Sequence, residues 1–281
     1  MEQDARKRAF TPEVGLFRRR PESSEKWWTP IASVDWRENS PHNIALTACG
    51  LGVIIGSGVC AAVGYGWTYA GVFGLYVAVV ALYHMLEYLS VALYNPSRTE
   101  LGSFMFNPDG GNRYSVAMAV SVAEYLIECW AFGRTKEPSA ITVAGLVVAI
   151  VGQVIRTLAM VTAKVSFNHY VATQRAVDHQ LITHGIYRYE RHPSYVGFFL
   201  WAVGLQTMLK NVVTAILFIV VLGYFFTKRT RKEEAFLLYF FGNRYRLYKS
   251  QTPSLIPVAN IDIEYRRQQL GSIRHTTEDG S

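Results

Sequence analysis

HNIALTACGLGVIIGSGVCAAVGYGWTYAGVFGLYVAVVALYHMLEYLSVALY, residues 42–94, contains a single full charge, Glu87. One buried helix of a soluble core would not need so long an apolar run. A bilayer crossing takes roughly 20 apolar residues, so the stretch holds two spans, at about 43–64 and 68–94. Tyr65-Gly66-Trp67 between them reads as a tight interfacial turn. The rest of the chain follows suit. Half of its 281 residues are hydrophobic and 17% are charged, against about 25% in an average soluble domain. The expected fold is all-α, a polytopic transmembrane helical bundle.

Further spans are expected at about 114–133 and 139–163. A polar loop over 95–113 separates them from the first pair, with Asn107-Pro108-Asp109-Gly110-Gly111 as a strong turn cluster. The stretch 164–193 is polar. Residues 195–227 are apolar again and form a tight hairpin turning near Lys210-Asn211, each arm about 16 residues long. A charged tail begins at Lys228, with helix-like content over 233–248. This makes six strong spans, or eight if two more are hidden in 14–40 or 42–94. An even number puts the basic N-terminal arm and the basic C-terminal tail on one side, expected to be the cytosol. The connector with Arg134 and Lys136 then lies on the other side, against the charge rule. Trp27 and Trp28 suit an interfacial piece within the arm.

The net charge of +7 is spread over segments between spans, which sets orientation and does not indicate nucleic-acid binding. Cys49, Cys60 and Cys129 lie in apolar stretches without a CxxC pair and read as buried free thiols. Four charges fall inside apolar segments: Glu87, Glu124, Glu128 and Arg156. Such charges usually pair. Glu124 and Glu128 share a helical face, and the expected partner for one of them is Arg156.

Two polar blocks carry the chemistry. Residues 169–192 hold His169, His179, His184 and His192, and Lys228-Arg229-Thr230-Arg231-Lys232-Glu233-Glu234 follows the hairpin. A hairpin returns the chain to the face it left, so the two blocks are neighbours in space. The histidine spacing contains no HxxH or HExxH pattern, and no metal site is expected. In Arg191-His192-Pro193-Ser194-Tyr195-Val196-Gly197, Pro193 can open a helix, and a helix N-terminus attracts anions. A structural reading stands beside this one: ordinary interfacial histidines, and a solvated Glu233-Glu234 face paired with Arg229 or Lys232.

These residues, with Ser166-Phe167-Asn168-His169, His179-Gln180-Leu181-Ile182, Gly185-Ile186-Tyr187, Arg229, Glu233-Glu234, Phe241-Gly242, Tyr245, Tyr248 and Pro253, resemble the isoprenylcysteine carboxyl methyltransferase family over about 164–257. The resemblance implies an S-adenosylmethionine-dependent enzyme of the endoplasmic reticulum membrane, its active site facing the cytosol. It would methylate the C-terminal prenylcysteine of farnesylated or geranylgeranylated proteins, among membrane lipid. Carried over by position, donor-binding residues would be Ala172, His179, Gln180, Leu181, Ile182, Tyr187, His192, Pro193, Ser194, Tyr195 and Glu233. Arg229 would bind the substrate and serve catalysis. The implied organisation is a basic cytosolic arm (1–41), a transmembrane bundle (42–163), a catalytic region with the short hairpin (164–257) and a polar tail (258–281). NADPH-dependent sterol reductases and phospholipid N-methyltransferases resemble the same region, and they remain as alternatives. A reductase would need cations for its cofactor phosphate, which 228–232 would supply.

Overall fold

The computed structural model describes residues 39–106, 112–175 and 179–256. The N-terminal arm with Trp27 and Trp28, the turn cluster 107–111 and the tail from 257 onward lie outside the described residues. Among the described residues the regular structure is all helical, with no strand. Seven α-helices are present: α1 (Pro41–Tyr65), α2 (Tyr69–Tyr94), α3 (Arg113–Phe132), α4 (Ala140–Ala163), α5 (Pro193–Met208), α6 (Val212–Phe241) and α7 (Asn243–Gln251). Helices α1, α2, α3, α4 and α6 are long and apolar enough to cross a membrane. Their outward faces are covered with apolar side chains, such as Val53, Val63, Ile127, Ile150 and Val220, as a lipid-facing surface requires.

Helix α5, with 16 residues, extends about 24 Å at 1.5 Å per residue. That falls short of a roughly 30 Å hydrocarbon core. The hairpin is therefore lopsided and not a pair of equal arms. The charged run at 228–234 does not begin a separate tail. It lies within α6, which continues for 30 residues to Phe241. Lys, Arg and Glu are good helix formers, so nothing in 228–234 stops the helix. Gly242, at φ +53°, does stop it.

Helices α4 and α5 pack backbone against backbone. Gly145, Ala149 and Gly152 on α4 face Gly197, Trp201 and Gly204 on α5. A Cβ on Gly204 would lie 2.5 Å from the Ala149 nitrogen, and one on Gly197 would lie 2.6 Å from the Arg156 nitrogen. Small residues permit this approach in a membrane, where packing replaces the hydrophobic effect as the driving force. Tyr83, Trp201, Leu205, Met208 and Phe218 fill the centre of the bundle, with Tyr83 and Trp201 stacked at 4.1 Å.

The end of the bundle holding the α5–α6 turn is bolted by polar contacts. Lys136, 3% exposed, pairs with Glu128 and donates to the carbonyls of Leu209 (3.0 Å) and Lys210 (2.9 Å) and to Asn211 Oδ1 (3.1 Å). Its charge satisfies the hairpin turn, so this lysine has a structural partner independent of membrane orientation. Glu124 accepts from the Val213 and Thr214 nitrogens at 2.9 and 2.8 Å, capping α6 from α3. Neither glutamate meets Arg156. Arg156 pairs instead with Glu87 of α2, through Nε at 2.5 Å and Nη2 at 2.7 Å. The fully buried Glu87 carboxylate takes both, a bidentate geometry that guanidinium suits. The cysteines are unbonded, as expected, but Cys49 and Cys60 are exposed on α1, so they face lipid and not the core.

Candidate active site

The opposite end of the bundle carries the two polar blocks, and the structure brings them together. Residues 185–192 are stapled to α6 and α7. Arg191 pairs with Glu234 at 2.8–2.9 Å and donates to the Thr252 carbonyl at 2.7 Å. His192 Nε2 stands 3.2 Å from the same Glu234 oxygen, and Lys249 stands 3.2 Å from the other. Tyr248 donates to the Tyr187 carbonyl at 2.6 Å. Glu190 joins the His192 and Leu255 nitrogens at 3.0 and 2.7 Å. Glu234 is thus a buried structural anchor, 1% exposed, and not part of a solvated face.

Helix α5 opens at Pro193 with His192 as N-cap, as the sequence predicts. Its first turn is held from below, where Arg156 Nη1 donates to Ser194 Oγ at 2.9 Å. In the same turn, Tyr195 donates to Glu233 at 2.5 Å and accepts from Arg229 Nε at 2.9 Å. Arg229 also donates to the His169 carbonyl. Among the described residues no carboxylate is in direct ion-pair contact with Arg229; Glu233 reaches it only through the shared Tyr195 hydroxyl.

A cavity lies between the blocks. His179, Gln180, Leu181, Ile182, Tyr187, His192, Pro193, Ser194, Tyr195 and Glu233 all line it. Ala172 does not. It lines an adjoining hollow of about 270 Å³ that shares Ser166, Asn168 and His179 with the first. Arg229 lines a different space, an apolar cavity of about 450 Å³ sunk between α2, α3, α5 and α6. Its walls include Tyr83, Met118, Trp201, Phe218, Leu222 and Phe226. The polar and the apolar cavities share Phe167, Asn168, Ser194 and Tyr195, so they meet at Tyr195. Asn168, Arg191, Leu237 and Tyr248 also line the polar cavity and were not among the expected site residues. Arg191 lay inside the quoted motif. Leu237 sits one turn after Glu233 on α6, a spacing visible once the helix is known to continue.

Electrostatics divide the two spaces. In the polar cavity Arg191 is committed to Glu234, while Glu233, 31% exposed, faces the opening. Lys228 and Arg229 line the apolar cavity instead, and Arg231 and Lys232 are exposed. Burial and the nearby Glu233 push the Tyr187 hydroxyl well up, so it stays a neutral donor. His169 lines the polar end of the apolar cavity. Burial, reinforced by the charges of Arg156 and Arg229, depresses its ring to about 3. It is therefore neutral at ordinary pH. Among the described residues no group of histidines, cysteines and carboxylates is arranged to hold a metal.

The chain matches the model of the isoprenylcysteine carboxyl methyltransferase (ICMT) family over residues 143–239. It is 37% identical to the protein-S-isoprenylcysteine O-methyltransferase of Rattus norvegicus across 77% of this chain and 75% of that one. The Saccharomyces cerevisiae enzyme of the same name is 37% identical across 79% and 94%. The chain belongs to the isoprenylcysteine carboxyl methyltransferase family. A solved structure, described as the eukaryotic intramembrane Ras methyltransferase ICMT without a monobody, superposes with a TM-score of 0.72 at 36% identity, covering 76% of each chain. The family fold is thus the membrane bundle described above. Membership makes this chain a methyltransferase and implies that a methyl donor binds it.

Proposed function

We propose that this chain esterifies the C-terminal prenylcysteine carboxylate of farnesylated or geranylgeranylated proteins, using S-adenosylmethionine, at the cytosolic face of the endoplasmic reticulum membrane. The observation that carries this reading is the junction at Tyr195. There a polar cavity and a lipid-depth apolar cavity meet beside an arginine without a carboxylate partner.

The polar cavity suits the proposed donor. Its open charge is the Glu233 carboxylate, flanked by Tyr187, Tyr195 and His192 and by aliphatic walls. A carboxylate accepts from hydroxyls and amines and favours a cation. The same lining argues against NADPH, because its one guanidinium, Arg191, is tied to Glu234 and the cations of 228–232 lie elsewhere. When bound there, S-adenosylmethionine supplies an electrophilic methyl group on a sulfonium. His179, Gln180, Leu181, Ile182, Tyr187, His192, Pro193, Ser194, Tyr195 and Glu233 would enclose it, with Ala172 at the edge of the adjoining hollow.

The apolar cavity gives a prenyl chain a place among the helices. Arg229 then meets the acceptor carboxylate through charge-assisted bonds, which guanidinium geometry favours. That carboxylate is already ionised at neutral pH, since α-carboxyl groups titrate near 3.5. No residue need take a proton. The protein's part is to align two reactants and to exclude water, so that neutralising their opposite charges is favourable. Too tight a grip would hold back the ground state. Tyr195 shares the Arg229 guanidinium, which moderates that grip. A cation at the acceptor site with no carboxylate in direct contact also favours a carboxylate acceptor over the amine of a phospholipid N-methyltransferase.

The test is incubation of detergent-purified protein with radiolabelled S-adenosylmethionine and N-acetyl-S-farnesylcysteine, with unprenylated N-acetylcysteine as control. Base-labile label on the prenylated compound alone, lost in Arg229→Ala and Glu233→Ala, is expected. Donor binding without ester would move the reading to a phospholipid methyltransferase, and no donor binding would end it.

A further inference from the structure

A third cavity, of about 340 Å³, opens from the same junction. It shares Phe167, Asn168 and His169 with the apolar cavity, and the first two of these with the polar cavity as well. Its far walls are unlike either. They come from the end of α2 and the turn after it: Asn95, Ser97, Thr99 and Glu100, reaching Asn39. Polar contacts hold this wall in place. Asn95 Nδ2 donates to the Phe167 carbonyl at 3.1 Å, tying the α2 end to the junction. Asn39 accepts from the Leu101 nitrogen at 2.9 Å. The Thr99 hydroxyl is buried and has no hydrogen-bond partner among the described residues, although a buried hydroxyl normally finds one. None of these residues belongs to the donor or prenyl cavities, and nothing in the reaction proposed above uses them.

The acceptor explains a three-way junction. The α-carbon of a prenylcysteine bears three heavy substituents. One is the thioether carrying the prenyl chain, one is the carboxylate, and one is the amide nitrogen that leads back into the protein. The apolar cavity accounts for the first, and the meeting point with the donor cavity accounts for the second. The third substituent needs an exit lined by groups that can hydrogen-bond a peptide backbone, which a membrane-depth apolar space cannot supply.

Resting on the carboxyl-methylation reading, we propose that the groove along Asn95, Ser97 and Thr99 binds the extended polypeptide that precedes the prenylcysteine. Backbone amides of the acceptor pair with the polar side chains of this wall. Contacts of this kind are independent of sequence. They raise the affinity for prenylated polypeptides over prenylcysteine alone without selecting among acceptor proteins.

The experiment compares kcat/KM for a farnesylated hexapeptide with that for N-acetyl-S-farnesylcysteine in the full chain, and in Thr99→Trp and Ser97→Trp. A bulky ring in the groove lowers the peptide-to-small-acceptor ratio tenfold or more in at least one variant. A second measurement does not depend on either variant folding. A farnesylated peptide with a photoreactive benzophenone at the position before the cysteine is cross-linked to the wild-type protein and the label is mapped. Label within residues 95–100 is expected. An unchanged ratio in both variants, or label confined to other segments, overturns the proposal. If the wild type esterifies neither acceptor, the carboxyl-methylation reading fails first, a result that the ratio and the map keep separate.

Discussion

Removing Arg156 tests how the site is held. Arg156 makes two bonds to Glu87 and one to the Ser194 hydroxyl, at 2.5, 2.7 and 2.9 Å, and all of these groups are buried. Arg156→Met leaves the Glu87 carboxylate fully buried without its guanidinium, with only His169, 3.7 Å away, beside it. Breaking one side of a buried pair costs roughly 3–5 kcal/mol, and for a chain of this size each kcal/mol moves the midpoint by about 2–4 °C. The apparent melting temperature should therefore fall by roughly 6–20 °C. Glu87→Met strands the guanidinium and should cost as much. The double variant, which strands neither charge, should recover most of the loss, because replacing both members of a buried pair is often close to neutral. Size-exclusion chromatography after heating, read by intrinsic fluorescence in one detergent, measures all four proteins. If either single change shifts the midpoint by less than about 2 °C, or if the double change equals the sum of the singles, the pair is not the buried clamp described here.

Protonation of His169 gives a pH dependence of stability. Its folded value of about 3 lies below the ordinary 6.5, so on acidification the unfolded chain binds the proton first. Stability is full above pH 6.5 and falls toward pH 3, by at most about 1.4 kcal/mol per pH unit. Glu87, 3.7 Å away, offsets part of this by attracting the charged ring, while Arg156 and Arg229 oppose it. Melting curves of wild type and His169→Asn between pH 7 and 4 should diverge, with the variant flatter. Gly152→Val would drive a side chain into the Trp201 backbone and should abolish folded yield. Gly50→Ala meets nothing within 4 Å and should gain up to about 1 kcal/mol of helix propensity; thermal unfolding separates the two. Glu233→Gln removes a charge-assisted bond worth roughly 1.5–3 kcal/mol. The KM for S-adenosylmethionine should rise about 10- to 100-fold with little change for the prenylated acceptor, and steady-state kinetics with each substrate varied measures both.

Much of the architecture could be read from residue order because apolar length is a strong signal. Spans expected at 43–64 and 68–94 are helices Pro41–Tyr65 and Tyr69–Tyr94. The proximity of the two polar blocks followed from one topological fact, that a hairpin returns to its starting face, and the Arg229–His169 and Glu234–His192 contacts fulfil it. Two features were hidden for physical reasons. Whether a helix stops at a charged run depends on what its charges touch, and Glu234 and Arg229 touch buried or half-buried partners 34–60 residues away in sequence. The partner of Arg156 depends on how α4 is rotated about its axis. The small residues Gly145, Ala149 and Gly152 set that rotation by facing α5; Arg156 follows on the same face, beside the first turn of α5, and its guanidinium reaches across to Glu87 of α2. Ala172 has no side chain capable of marking which hollow it faces.

The unbroken course of α6 accounts for how one enzyme can join a lipid-soluble acceptor to a water-soluble donor. Phe218, Leu222, Phe226, Arg229, Glu233 and Leu237 recur every three or four residues and so share one helical face. Phe218, Leu222 and Phe226 line the apolar cavity, Arg229 its polar end, and Glu233 and Leu237 the polar cavity. At 1.5 Å per residue the face runs about 22 Å from Phe218 to Glu233, and Arg229 and Glu233 are about 6 Å apart along the axis. The distance from lipid depth to the reacting centre is thus fixed by a rigid helix and not by a loop. A break after Phe226, where the charges begin, would have separated the cation proposed to receive the carboxylate from the wall proposed to receive the chain. Continuity of the helix through its charged turns is therefore a condition of the chemistry. An insertion of one residue between Phe226 and Arg229 would rotate Arg229 and Glu233 by about 100° away from Tyr195 while leaving the apolar wall intact. Such a protein should keep its affinity for the prenyl group and lose methyl transfer, whereas loss of both would show that the cavities depend on one another for their shape.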